Sequence, residues 1–129
     1  MFLRRLIATT STVSTVLLVL TSVLVWTPAA LAHTRFLMSD PAPDDQLATA
    51  PQAVQLWFSH PVEADFSRIE VTDSNGQRID NKDLARDADD PKVLRVTLPA
   101  LSSGKYQVNW TAVSADGHRV KGTFYFSVQ

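Results

Sequence analysis

The 129-residue sequence contains no cysteine. A chain without thiols closes no disulfide and offers no thiolate to Cu(I), zinc or an iron–sulfur cluster, which also excludes a thiolate blue-copper electron-transfer site. Methionine is nearly as scarce, with Met1 and Met38 the two present, so a thioether-rich Cu(I) site is excluded too. Charge of one sign is missing as well: 12 basic residues face 13 acidic ones. That balance leaves no electrostatic footprint for nucleic acid and no polybasic patch for an anionic membrane. Past the first 32 residues there is no long apolar run, and no segment of helical period of useful length. Nitrogen and oxygen donors are what remain for any metal chemistry.

The N-terminus has the order of a secretory leader. Arg4 and Arg5 form a short basic region, Leu6 to Val25 is mostly apolar, and Ala30-Leu31-Ala32 supplies a small-x-small cleavage site. Hydroxyl residues interrupt the apolar stretch at Thr9 to Thr12, Ser14, Thr15, Thr21 and Ser22, which favours a cleaved signal over a retained anchor. The expected organisation is therefore a leader over 1–32, removed after Ala32, and one small exported domain over 33–129 with no membrane anchor after cleavage. Its 97 residues carry ten basic and 13 acidic side chains, a formal charge of −3. Without disulfides, such a domain is held by its core alone.

The pattern of that domain is all-β. Val54, Leu56 and Phe58 alternate with Gln55 and Trp57, the period of a half-buried strand. Ile69 and Val71 do the same, and Asp73-Ser74-Asn75-Gly76 then reads as a turn. Further alternating runs centre on Leu94–Leu98, Tyr106–Trp110 and Phe124–Val128, with a first strand expected near Phe36. Such a set implies a small sandwich or barrel. Leu101, Gly104 and Tyr106 fit either a tyrosine corner or a plain core tyrosine. Asp80 to Lys92, with five aspartates, two lysines and one arginine, reads as a solvated loop; its order matches no EF-hand.

Cleavage after Ala32 would leave His33 with a free α-amine beside its imidazole, two nitrogens that can chelate one ion. Downstream, Ser-Ala-Asp-Gly-His (Ser114 to His118) places a carboxylate and an imidazole two residues apart, on one side of an extended backbone. Singly, each has a plain explanation: a histidine at a frayed end, and a turn built on Asp-Gly. Together they offer an α-amine, two imidazoles and one carboxylate. Three nitrogens and one oxygen suit the tetragonal coordination of Cu(II), with Ni(II) the first competitor and zinc less well served.

These residues carry a resemblance. His33 after an A-x-A site, Ser39-Asp40-Pro41-Ala42, Leu56-Trp57-Phe58-Ser59, the L-x-x-G-x-Y-x-V-x-W run from Leu101 to Trp110, the Ser-x-Asp-x-His element and Gly122-Thr123-Phe124 with Phe126 are similar to the CopC family of periplasmic copper-binding proteins. The resemblance spans essentially all of 33–129. It implies a seven-stranded Greek-key barrel, of immunoglobulin- or cupredoxin-like kind, and Cu(II) held by His33, Asp116 and His118. It also implies a monomeric carrier in the periplasm, serving copper homeostasis or resistance, with an inner-membrane copper transporter or another copper-handling protein as partner. Two departures stand out. The Met-rich Cu(I) site of some members has no counterpart, and His60 occupies a place where members commonly carry an acidic residue. His60 is open to three readings: a further ligand, a hydrogen-bond partner outside the coordination sphere, or an exposed turn residue before Pro61.

Binding must displace a proton from the α-amine and requires neutral imidazoles, so affinity should weaken as pH falls below about 7. A carboxylate in the coordination plane leaves little room for substrate and suits a carrier, not an enzyme. Two alternatives come from other classes: a metal-independent immunoglobulin-like interaction module, and a histidine-brace copper oxygenase.

Overall fold

The computed structural model describes residues 33–129; the expected leader lies outside them. Eight strands are present: β1 (Phe36–Asp40), β2 (Gln46–Leu47), β3 (Ala53–Phe58), β4 (Arg68–Thr72), β5 (Ala85–Arg86), β6 (Val93–Thr97), β7 (Gly104–Val113) and β8 (Arg119–Val128). They form two four-stranded sheets, β1-β3-β6-β5 and β2-β8-β7-β4. All pairs are antiparallel except β2 with β8, which is parallel. One turn of 3-10 helix (Ala64–Phe66) precedes β4. No helix among the described residues is long and apolar enough to cross a membrane.

The alternation read from the sequence is the alternation that packs. Val54, Leu56 and Phe58 of β3, with Leu94 and Val96 of β6, face Ile69 and Val71 of β4 and Val108 and Trp110 of β7 across one buried core. Each such side chain, taken fully out of water, contributes roughly 1.5–3 kcal/mol before chain entropy opposes it. The expected first strand is β1, and the five alternating runs are β3, β4, β6, β7 and β8. The six strands read from the sequence become eight because β2 and β5 are two residues each, too short to show a period; the resemblance had implied seven.

Tyr106 is a tyrosine corner: its hydroxyl donates to the Ser102 carbonyl at 2.7 Å. Asp73–Gln77 closes as a turn, with Asp73 N–H on Gln77 O and Gly76 N–H on Asp73 O. The segment expected as a solvated loop differs at Ala85–Arg86, which form β5, and at its first residue. Asp80 is buried, with 6 % exposure, and its carboxylate accepts from Val71 N–H, Lys82 N–H and the Arg78 Nε and Nη2 groups. Burial alone would push its carboxyl up; Arg78 and the two backbone N–H groups prevail and hold it below the usual carboxylate value. Charge content alone did not distinguish this buried knot from the exposed and half-buried aspartates after it.

Under the arm that leads to His33 lies an aromatic group. Phe36 stacks on Trp110 with ring centroids 5.2 Å apart, and Phe58 meets Trp110 edge-on at 5.5 Å. The indole lies over Gly122, its cross-strand partner, where a β-carbon would stand 2.6 Å from Cζ2.

Candidate metal centre

The turn between β7 and β8 carries half of the site. Ser114 N–H donates to His118 O and Gly117 N–H to Ser114 O, both at 2.9 Å. Gly117 has φ +85°, a conformation that disfavours side chains, so glycine is required where the chain doubles back. Ser114 is buried and donates its hydroxyl to Asp116 Oδ1. His118 N–H reaches the same oxygen at 3.2 Å, and His118 Nδ1 lies 2.8 Å from Asp116 Oδ2. These donors, the Ser114 hydroxyl foremost, then the His118 N–H and ring, hold the exposed Asp116 carboxyl down at about 2.

The other half arrives with the arm before β1. His33 is exposed, and its imidazole meets that of His118 edge-to-face with ring centroids 4.7 Å apart. The fold therefore brings His33, Asp116 and His118 to one end of the sandwich, although 83 positions separate the first two. Thr34 is 2 % exposed, and its Oγ1 is the one buried side-chain oxygen among the described residues without a hydrogen-bond partner. His60 sits on the neighbouring β3–β4 connection, its Nδ1 2.9 Å from Ser59 Oγ. The bond of Arg35 to Ser59 escaped the sequence reading, for it spans 24 positions; the Ser114 role was foreshadowed by its place in the Ser-x-Asp motif.

Among the described residues, no three His, Asp or Glu side chains gather into a ready metal cluster. In the 129-residue chain the nitrogen of His33 is an amide, whereas a chain beginning at His33 has a free amine there. The distance between Nδ1 and Oδ2 suits a metal: bonds of about 2.0–2.1 Å at a right angle put neighbouring donors about 2.8–3.0 Å apart.

This fold and end-of-sandwich site define a class: small two-sheet β proteins that present imidazoles and a carboxylate where a strand hairpin meets the chain's first strand. The family model of the CopC domain matches residues 36–129. Protein YobA of Escherichia coli K12 is 40 % identical over 114 residues, covering 88 % of this chain and 91 % of that protein. The crystal structure of CopC from Methylosinus trichosporium OB3b superposes with a TM-score of 0.70 at 33 % identity, covering 75 % of this chain and 94 % of that one. That of PcoC, a methionine-rich copper resistance protein from Escherichia coli, gives 0.66 at 30 % identity, covering 76 % and 100 %. The chain belongs to the CopC family.

Proposed function

We propose that this protein is a periplasmic Cu(II) carrier for copper homeostasis or resistance, exported by its leader and active once cleavage after Ala32 frees the amine of His33. The His33 amine and imidazole, the His118 imidazole and the Asp116 carboxylate are the donors. The observation that carries this reading is the meeting of the His33 and His118 rings at 4.7 Å beside a carboxylate 2.8 Å from the second ring. Family membership, and PcoC's being a copper resistance protein, support copper as the cargo. PcoC is also methionine-rich, and this chain keeps one methionine beyond Met1; its donor set of nitrogen and oxygen favours Cu(II) over Cu(I).

The chemistry required is capture and release. Asp116 is already ionised at neutral pH and offsets part of the ion's charge, while the hydroxyl of Ser114 keeps the carboxylate in place. Binding displaces a proton from the amine and requires neutral imidazoles, so acid favours release. A donor set filling the plane suits a carrier handing copper to a membrane transporter or another copper-handling protein. The test is a Cu(II) titration of the chain beginning at His33, alone and with His118→Ala. One equivalent bound tightly by the parent, with affinity at least about 100-fold weaker in the variant, supports the centre. Equal weak binding by both contradicts it and favours the metal-independent interaction module.

A further inference from the structure

The Ser59–Glu63 connection is tied to both halves of the centre. On one side, Ser59 N–H donates to Arg35 O at 2.9 Å and Arg35 N–H donates to Ser59 Oγ at 2.9 Å. These two bonds fix the arm two residues from His33. On the other side, Val62 bridges to Ser114, and Glu63 N–H donates to Val113 O at 2.8 Å. These fix the root of the turn that carries Asp116 and His118. The connection is thus a strut across the site, and His60 lies within it.

Two directions are open to the Ser59–His60 bond, set by the tautomer of the ring, and one of them joins His60 to Arg35 through a single hydroxyl. In that direction Ser59 Oγ accepts the Arg35 N–H and turns its own proton to His60 Nδ1, 2.9 Å away. His60 Nδ1 is then an acceptor, and the neutral ring carries its proton on Nε2. Pro61 restricts the backbone of His60 to extended conformations, which limits where its ring can go. Without the acceptor, the Ser59 hydroxyl has other staggered rotamers open to it, and the Arg35 N–H loses a fixed partner.

We infer that His60 is a positioning residue of the metal centre: its Nδ1 fixes the Ser59 hydroxyl, which fixes Arg35, which sets where His33 stands relative to His118. This role rests on the Cu(II) reading above and assigns His60 one of the three possibilities left open by the sequence. It is an acceptor outside the coordination sphere. Partners of this kind, removed from beneath a metal ligand, commonly cost about 10–100-fold in affinity.

The experiment compares His60→Leu, His60→Asn and Ser59→Ala with their parent, all beginning at His33, by Cu(II) titration and electron paramagnetic resonance. Thermal melting of the metal-free forms checks folding. Asparagine offers an amide oxygen near the place of Nδ1, so it can still accept the Ser59 proton. The expected result is about tenfold weaker binding with an altered spectrum for His60→Leu and Ser59→Ala, and near-parental affinity and spectrum for His60→Asn. Parental behaviour in all three variants overturns the strut. Loss in His60→Asn equal to that in His60→Leu, with one fewer coupled nitrogen, overturns it in favour of direct ligation. If Ser59→Ala does not fold, the two His60 variants decide. A parent that binds no copper refutes the carrier reading itself, a result separable from the other two.

Discussion

Gly122→Ala tests how tightly the sheet is built beneath the proposed centre. The new β-carbon would stand 2.6, 2.7 and 2.9 Å from Cζ2, Cε2 and Nε1 of Trp110. Ordinary carbon contacts begin near about 3.5 Å, so the indole has to withdraw by roughly 1 Å. Phe36 and Phe58 block that movement, with centroids 5.2 and 5.5 Å from Trp110. Overpacking of this kind costs about 1–3 kcal/mol, and the stiffer unfolded chain returns about 0.4–1 kcal/mol. A net loss of about 1–2 kcal/mol lowers the melting temperature of a domain this size by roughly 5–15 °C. Circular dichroism melts should show it. In a Trp110→Phe background the offending indole atoms are gone, so the same substitution should cost close to nothing, a coupling of about 1–2 kcal/mol. An equal cost in both backgrounds, or a gain in stability with Trp110 intact, would refute the packing argument.

Two other perturbations probe the acids. Asp80→Ala removes the acceptor of Val71 N–H and Lys82 N–H and the partner of Arg78, and should cost about 3 kcal/mol in urea unfolding at pH 7. The Asp80 carboxyl is held below its usual value, so its contribution is present above the unfolded-state value, near about 4, and is lost as pH falls through the lower folded-state one. The variant should therefore converge on the parent in strong acid; an undiminished difference there contradicts the assignment. Carbon-13 NMR should find the Asp116 carboxyl titrating at about 2 in the metal-free protein, and Ser114→Ala should move it up toward 3.8. An unmoved midpoint would show that the Ser114 hydroxyl does not hold the carboxylate.

The fold was legible where burial has a period. Val54, Leu56 and Phe58 announce β3 because one face of that strand meets the core and the other meets water. β2 and β5 stayed hidden because two residues carry no period; β2 exists through its parallel pairing with Ser127 and Val128 at the end of β8. Asp80 was misread for a related reason: whether an aspartate is solvated or buried depends on Arg78 and the backbone of Val71, not on the acidic residues around it. At the candidate site, Asp116 and His118 were readable from their spacing, since the turn between them is local. His33 depended on the leader's cleavage pattern. The link from Arg35 through Ser59 to His60 was not readable, because a serine hydroxyl two strands away leaves no periodic mark in the sequence.

The central claim is that the first nitrogen of a chain beginning at His33 is a copper ligand. The direct measurement is a Cu(II) titration with electron paramagnetic resonance on two proteins, one starting at His33 and one with a single alanine before it. The account predicts a tight one-to-one tetragonal, nitrogen-rich centre in the first and a much weaker, altered one in the second, where that nitrogen is an amide. Equal affinity and identical spectra from both would contradict it.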